Sequence, residues 1–192
     1  MNTVVASFLC VLFLFLPNFG PTSRGYTTGK RADMSAYETL PDKDHVFVTA
    51  SVDDVQQAMD RGETFALFLG YSHCPWCREA VPILNEVAKE YKTDVLYVNV
   101  RPNPEQTKNT QMPDYDKLCS FLGSYFEKDE ETGQPTLYVP FVFFIRDGQV
   151  VKYPQGTVEG HDAWKEKMTG QQQDALRNIY RDGFNQIFMA DT

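Results

Sequence analysis

Two cysteines, Cys74 and Cys77, enclose a Pro-Trp pair within residues 70–84, which read GYSHCPWCREAVPIL. They follow an apolar run, at the point where the pattern predicts that a helix begins. Cysteines with this spacing can hold a metal ion, form a structural disulfide or exchange disulfides with a substrate. The predicted position favours the third role, because the unpaired N–H groups and the positive dipole end of a helix N-terminus stabilise a thiolate.

The two thiols are expected to be unequal. Cys74 precedes Pro75, which suits the first helical turn because proline has no N–H group to leave unpaired. Cys77 lies about one turn inside the helix and should be more buried. We therefore expect Cys74 to attack a substrate disulfide and Cys77 to resolve the mixed disulfide, with no dissociable cofactor, since the dithiol itself carries two electrons. Trp76 should be partly exposed, and contact with the substrate is favoured over packing in the core.

Zinc and a structural disulfide are the alternatives. Outside the N-terminal apolar segment, only Cys119 and three scattered histidines remain as further zinc ligands, without a second C-x-x-C or an H-x-x-x-H. A disulfide that closes a two-residue loop would constrain little of the unfolded chain. Cys119 shares an apolar stripe with Leu118 and Leu122, which favours a buried inert thiol over a third redox partner.

Strands and helices alternate around the motif. The apolar pattern predicts strands at 45–50, 64–71 and 94–100 and a hairpin that turns at Asp147-Gly148. It also predicts four helices: one that starts at Ser51, one that starts near Cys74, one over 115–126, and one over about 161–188 with an interruption near Gly170. Residues 127–135 are predicted to form an exposed loop. Strands separated by helices pair in parallel and hairpin strands pair antiparallel, so we expect an α/β fold whose mixed sheet carries helices on both faces.

The N-terminus predicts export. Residues 4–16, VVASFLCVLFLFL, are shorter than the roughly 20 residues that span a membrane and are typical of the apolar part of a secretory signal. We expect residues 1–20 to be a signal peptide or membrane anchor, with a buried core helix as the alternative. Residues 21–43 are predicted to be a flexible linker and residues 44–192 the folded domain, secreted or membrane-anchored outside the cytoplasm.

Composition narrows the range of partners. The net charge of −8 and a pI near 4.9, without a basic block, argue against nucleic acid as a partner. Four cysteines in 192 residues are too few for a disulfide scaffold. The hydrophobic share of 42% is enough for a globular core.

From about residue 45 onward, the sequence resembles the thioredoxin superfamily. The features that carry the resemblance are C-P-W-C after a buried strand, Pro82 five residues beyond Cys77, and Val139-Pro140 at the head of the strand that leads into the hairpin. The resemblance implies a thioredoxin-like fold with a helical insertion at about 102–136. It also implies a cis peptide bond before Pro140, with this proline facing the dithiol and the Val139 backbone pairing with the substrate.

The sequence departs from that family at three positions. Phe68 stands where thioredoxins usually carry a buried acid, Tyr97 where its lysine companion stands, and His73 where a tryptophan is common. The usual proton relay is therefore missing or supplied by another group. Glu79 is a candidate substitute, with a solvated helix residue as the alternative. Protonated His73 could stabilise the Cys74 thiolate, or it could be an exposed turn residue.

Two functions follow from the resemblance. Residues 102–136 and the segment GTVEGHD at 156–162 are similar to bacterial thioredoxin-like proteins labelled bacteriocin transport accessory proteins. One expectation is an exported or membrane-tethered thiol–disulfide oxidoreductase that acts on protein thiols and disulfides and is served by a membrane electron-transfer partner. The alternative is a non-catalytic accessory protein that holds peptides during export. Whether the dithiol reduces, oxidises or isomerises its substrates stays open.

Overall fold

The elements of the fold alternate as the sequence pattern predicts. The structure is a computed structural model that describes residues 29–189. In chain order the elements are β1 (Phe47–Thr49), α1 (Val52–Asp60), β2 (Phe65–Gly70), α2 (Pro75–Glu90), β3 (Val95–Asn99), α3 (Tyr115–Leu122), β4 (Glu127–Lys128), β5 (Pro135–Thr136), β6 (Phe141–Arg146), β7 (Gln149–Lys152) and α4 (Gly170–Phe188). Short 3-10 helices at Asn109–Gln111 and Gly123–Tyr125 flank α3.

The main sheet has five strands in the order β1-β3-β2-β6-β7. β3 pairs in parallel with both β1 and β2, whereas β6 pairs antiparallel with β2 and with β7. The hairpin between β6 and β7 turns at Asp147 and Gly148, both with positive φ. The predicted mixed sheet of a thioredoxin-like α/β fold is therefore confirmed.

Each face of the sheet carries its own apolar core. Along β2 every residue is buried, and successive side chains point to opposite faces. Ala66 and Phe68 belong to the core that contains buried residues of α2 and α4, and Leu67 and Leu69 belong to the core that contains those of α1 and α3. Helices therefore cover both faces, as expected for a strand that reads as an unbroken apolar run.

The segment before β1 differs from its prediction as a flexible linker. Residues 1–28 and 190–192, and with them the predicted signal peptide or anchor, lie outside the described residues. From Gly29 onward the predicted linker packs against the domain, and Met34, Tyr37 and Leu40 are buried in the core under α2. The Ala32 N–H donates to the Phe47 carbonyl oxygen at 3.0 Å. The apolar side chains at these positions provide the burial that a linker would lack.

Two further segments differ from their predictions. The loop predicted at 127–135 is exposed over residues 127–134, as expected, but its ends Glu127–Lys128 (β4) and Pro135–Thr136 (β5) pair as a small two-stranded sheet. The helix predicted from about His161 begins only at Gly170, because Thr169 caps it: the Gln172 N–H donates to Thr169 Oγ1 at 3.3 Å. Within residues 29–189, no helix is long and apolar enough to cross a membrane.

Candidate active site

The helix N-terminus that carries Cys74 is formed as predicted. Cys74 has an extended backbone and is the residue that precedes the first turn of α2, with Pro75 opening the helix. Its N–H donates to the Tyr71 carbonyl oxygen at 3.2 Å, and its own carbonyl oxygen accepts from the Arg78 N–H at 3.1 Å. Because β2 ends at Gly70, this turn places the first cysteine at the carboxyl edge of the sheet.

The peptide bond between Val139 and Pro140 is cis, as the resemblance implied. Pro140 stands directly before β6, and the Cys74 thiol donates a weak hydrogen bond from Sγ to the Val139 carbonyl oxygen at 3.5 Å. The structure therefore brings together the dithiol and the cis proline, which are 63 residues apart along the chain from Cys77 to Pro140.

The two thiols have different surroundings. Both are free thiols; Cys74 keeps 4% of its surface exposed, and Cys77 has none. The hydrogen bond from the Cys77 side chain lowers the pKa of Cys74, with help from the backbone N–H groups of Cys77 and Trp76 and from the Arg101 charge, against the opposing effect of burial. Burial raises the pKa of Cys77 well above its usual value. Cys74 is therefore the thiol that ionises first.

Phenol and phenyl rings occupy the region where thioredoxins carry the acid and the lysine. Phe68 and Tyr97 are partners in the β2–β3 register and stack with ring centroids 5.5 Å apart. The Tyr37 and Tyr97 hydroxyl groups are 3.4 Å apart, and the buried Tyr180 hydroxyl has no hydrogen-bond partner among the described residues. Burial raises the pKa of Tyr97 to about 12 and raises the pKa of Tyr37 well above its usual value, so these phenols are neutral at pH 7.

Trp76 is half-buried beneath the segment that precedes α4. Its Nε1 donates to the His161 carbonyl oxygen at 3.5 Å, and the Trp164 ring meets it edge-on at 5.8 Å. The His161 ring is buried and bonds to Thr157 Oγ1 at 2.8 Å and to the Glu166 carbonyl oxygen at 3.1 Å. These contacts hold Trp164, which is 74% exposed, against Trp76 of the C-P-W-C motif.

The two predicted modulators have other contacts. Glu79 Oε2 accepts a hydrogen bond from the Met168 N–H at 3.0 Å, so this carboxylate anchors the segment before α4 and is not a freely solvated group. His73 is exposed, and its Nδ1 lies 3.4 Å from Ser72 Oγ. Cys119 is half-buried in α3, and burial raises its pKa.

Sequence reasoning missed Tyr37, Trp164 and Arg101. The signal for Tyr37 was the recurrence of apolar residues in the segment before β1. Trp164 and Arg101 had no signal in the apolar pattern, because their contacts with Trp76 and Tyr71 join segments distant in sequence. Within residues 29–189, no group of three or more histidine, cysteine or acidic side chains is arranged to hold a metal ion.

The chain is similar to solved thioredoxins. No protein-family model and no curated protein matches it. A mutant thioredoxin from Halobacterium salinarum NRC-1 is 14% identical, with 77% of this chain and 93% of that chain covered and a TM-score of 0.43. Thioredoxin O2 from Arabidopsis thaliana is 13% identical, with 71% and 96% covered and a TM-score of 0.40. Desulfothioredoxin from Desulfovibrio vulgaris Hildenborough is 20% identical, with 67% and 88% covered and a TM-score of 0.36.

These identities and TM-scores are low, so the thioredoxin-like fold is assigned from the chain's own strand order and cis proline. The C-P-W-C pair at the start of α2, next to that proline, defines the site. The chemistry that the site can perform follows from the thiols themselves.

Proposed function

We propose that this protein is a thiol–disulfide oxidoreductase that acts on protein substrates. The observation that supports the proposal most directly is the position of Cys74, whose sulfur lies at the N-terminus of α2 and 3.5 Å from the carbonyl oxygen of Val139, the residue joined to Pro140 by the cis bond. A thiol with a lowered pKa next to a deeply buried partner thiol is the arrangement that disulfide exchange requires.

The proposed reaction has two exchange steps. The Cys74 thiolate attacks one sulfur of a substrate disulfide, which breaks that bond, forms a mixed disulfide and releases the other substrate sulfur as a thiolate. Cys77 then loses its proton and attacks the Cys74 sulfur, which releases the second substrate thiol and leaves a disulfide between Cys74 and Cys77. Two electrons have passed to the substrate, and the reverse sequence oxidises a dithiol substrate.

The substrate-binding residues of the proposal lie next to Cys74 in space or in sequence. The Val139 backbone and Pro140 lie on one side of this cysteine, and Trp76 belongs to the same turn. In the proposed complex, the substrate backbone pairs with Val139 while Trp76 contacts side chains beside the substrate cysteine.

The proposal places this chemistry outside the cytoplasm. The apolar residues 4–16 support export or a membrane tether. An exported dithiol that reduces its substrates must be re-reduced, so a membrane electron-transfer partner completes the reductive version of the cycle.

Trapping the mixed disulfide tests the proposal. With Cys77→Ser the resolving thiol is missing, so an added disulfide-bonded peptide should stay covalently attached through Cys74, and reductant should release it. Cys74→Ser should form no such adduct, and Cys119→Ser should behave as the unmodified protein. Absence of the adduct from the Cys77→Ser protein, or its attachment at Cys119, would contradict the proposal.

An accessory peptide-binding protein is the second candidate. Two exposed aromatic side chains favour it: Trp164 is 74% exposed and Tyr138, beside Val139, is 53% exposed. Such a protein should hold reduced, cysteine-free peptides equally well when Cys74 and Cys77 are both serine. An oxidoreductase should lose its turnover with that double change.

A further inference from the structure

The loop after β3 brings a cation to the edge of the sheet where the dithiol lies. β3 ends at Asn99, and the Val100 N–H donates to the Gly70 carbonyl oxygen at 3.1 Å. This bond sets Arg101 beside the turn that follows β2. The backbone carbonyl oxygen of Tyr71, in that turn, accepts from the Cys74 N–H.

Two contacts fix the Arg101 guanidinium. Its central carbon lies 4.4 Å from the centroid of the Tyr71 ring, a cation–π arrangement. Its Nε donates to Asn109 Oδ1 at 2.7 Å, and Asn109 Nδ2 donates in turn to the Leu137 carbonyl oxygen at 2.8 Å. The guanidinium is thus held between the turn before Cys74 and the segment that leads to Val139, which are the two sides of the site.

The charge on Arg101 is not balanced by a neighbouring acid. Among the side chains of residues 29–189, the ion pairs of the structure join other cations to other carboxylates. A half-buried cation that is fixed in orientation and has no acid partner attracts a nearby anion more strongly than a mobile surface cation does, because solvent screens it less.

Arg101 is the charged side chain among the main influences on the pKa of Cys74, and the other titratable groups near the pair are not among them except for Cys77. Those packed around it from the segment before β1, the end of β2, β3 and α4 are phenols: Tyr37, Tyr71, Tyr97 and Tyr180. The charged or titratable side chains of the turn and of α2 have other contacts: His73 with Ser72 Oγ, Arg78 with the Ser72 carbonyl oxygen and Glu79 with the Met168 N–H.

We propose that Arg101 is a positioning residue of the redox site, and that its fixed cation stabilises the Cys74 thiolate in place of the acid–lysine pair that Phe68 and Tyr97 replace. Because the thiolate exists only in the reduced protein, the same cation favours the dithiol over the Cys74–Cys77 disulfide. The inference rests on the proposed function and specifies how the reactivity of that site is set. The pKa of Cys74, which is lowered, is in keeping with it.

The test is the pH at which Cys74 becomes reactive in the reduced full-length chain. Iodoacetamide alkylation at Cys74, mapped by peptide mass spectrometry, gives the midpoint of thiolate formation for that residue alone. We expect Arg101→Gln to raise the midpoint by about half a unit to one unit. Arg101→Lys should raise it less, because the charge is kept while the stacking and the bond to Asn109 are lost.

Arg31→Gln is the matched control. It also removes one positive charge, but Arg31 pairs with Asp94 at 2.5 Å, at the opposite end of β3. An unchanged midpoint in Arg101→Gln, or an equal shift in Arg31→Gln, would overturn the inference. Thermal unfolding of each variant shows whether a shifted midpoint comes from loss of the fold. In that case Asn109→Ala provides the second test, because it frees the Arg101 guanidinium without removing it. We expect Asn109→Ala to shift the midpoint by an intermediate amount.

The outcome is separable from the test of the proposed function, because alkylation needs no substrate. A shifted midpoint in Arg101→Gln together with no trapped adduct in Cys77→Ser supports the role of Arg101 and contradicts the oxidoreductase. A trapped adduct with an unshifted midpoint contradicts the role of Arg101 alone.

Discussion

The two cysteines differ because one helical turn separates a helix end from a helix interior. Cys74 has backbone N–H groups directed at its sulfur, and Cys77 is fully buried among apolar side chains. In the proposed reaction, the substrate disulfide would have to approach Cys74, which keeps 4% of its surface exposed. This narrow access suits an extended or flexible peptide segment better than a rigid surface loop.

The first prediction concerns the order in which the thiols react. The pKa of Cys74 lies below the usual value of 9.0 and that of Cys77 well above it. Since the thiolate is the reactive form, the alkylation of Cys74 should begin at lower pH than that of Cys77 and be lost as the pH falls below its lowered pKa. Mass mapping after brief alkylation between about pH 6 and pH 9 measures the order. Earlier labelling of Cys77 would be incompatible with the assignment of Cys74 as the nucleophile.

Two elements outside the regular fold support the site: the segment before β1 and the segment before α4. The first contributes Tyr37 to the core that contains Cys77, and the Thr39 hydroxyl donates to the Arg78 carbonyl oxygen in α2 at 2.6 Å. The second places His161 and Trp164 against Trp76. Both segments therefore contact the helix that begins at the dithiol.

The second prediction tests whether the segment before β1 is part of the folded domain. Tyr37 is 2% exposed, so Tyr37→Ala should lower the free energy of unfolding by about 3 kcal/mol, through lost burial and the cavity that remains. Glu38→Ala, at the exposed neighbouring position, should change it by less than about 0.5 kcal/mol. Urea unfolding of the three proteins measures both values, and equal stability of all three would show that the segment behaves as a linker.

The third prediction concerns acid unfolding. Asp42 accepts hydrogen bonds from Lys89 and from Asn85 Nδ2, and Asn85 Oδ1 accepts from the Val46 N–H. The bond from Lys89, followed by that from Asn85, lowers the pKa of Asp42 from 3.8 to about 2. A lowered pKa contributes stability that is fully present above about pH 3.8 and is lost as the pH falls towards 2. With Asp42→Asn, the free energy of unfolding should therefore depend less on pH in this acidic range. The same pH dependence in the variant and the unchanged protein would contradict the role of the Asp42 hydrogen bonds.

The fourth prediction concerns the exposed Trp164 ring, which packs against Trp76. Trp164→Ala should leave stability within about 0.5 kcal/mol, because the side chain is 74% exposed. It should slow exchange with a disulfide-bonded peptide while leaving exchange with a small disulfide such as oxidised dithiothreitol unchanged, since only the peptide extends to the ring. Met189→Ala, at another exposed apolar position, is the control. Equal slowing with both substrates would show that the ring acts on the dithiol itself.

At the scale of the whole molecule, the site forms because three separate segments meet at one edge of the sheet. β2 leads to Cys74, β3 leads to Arg101, and the cis proline stands before β6, which lies beside β2. α4 packs against α2, and two ion pairs join the helices: Arg177 with Glu86 and Arg181 with Glu90. These contacts fix the helix that begins at the dithiol on the face of the sheet.

The local parts of this architecture could be predicted from the sequence. The buried strand β2, the helix start at Cys74 and the turn at Asp147-Gly148 each have a signal within a few residues. The packing of Tyr37 and the bond of Glu79 to Met168 could not, because they depend on contacts between residues tens of positions apart. Apolar periodicity reports whether a residue is buried, and it does not report which distant residue it meets.

A redox titration tests the central claim that Cys74 and Cys77 form one redox pair. The full chain is equilibrated in thiol–disulfide buffers from about −300 to about −100 mV, the remaining thiols are alkylated, and each cysteine is mapped by mass. Cys74 and Cys77 should lose the label together in a single two-electron transition with a slope of about 30 mV per decade, while Cys119 stays labelled. Retention of both labels throughout, or pairing of either thiol with Cys119, would contradict the account.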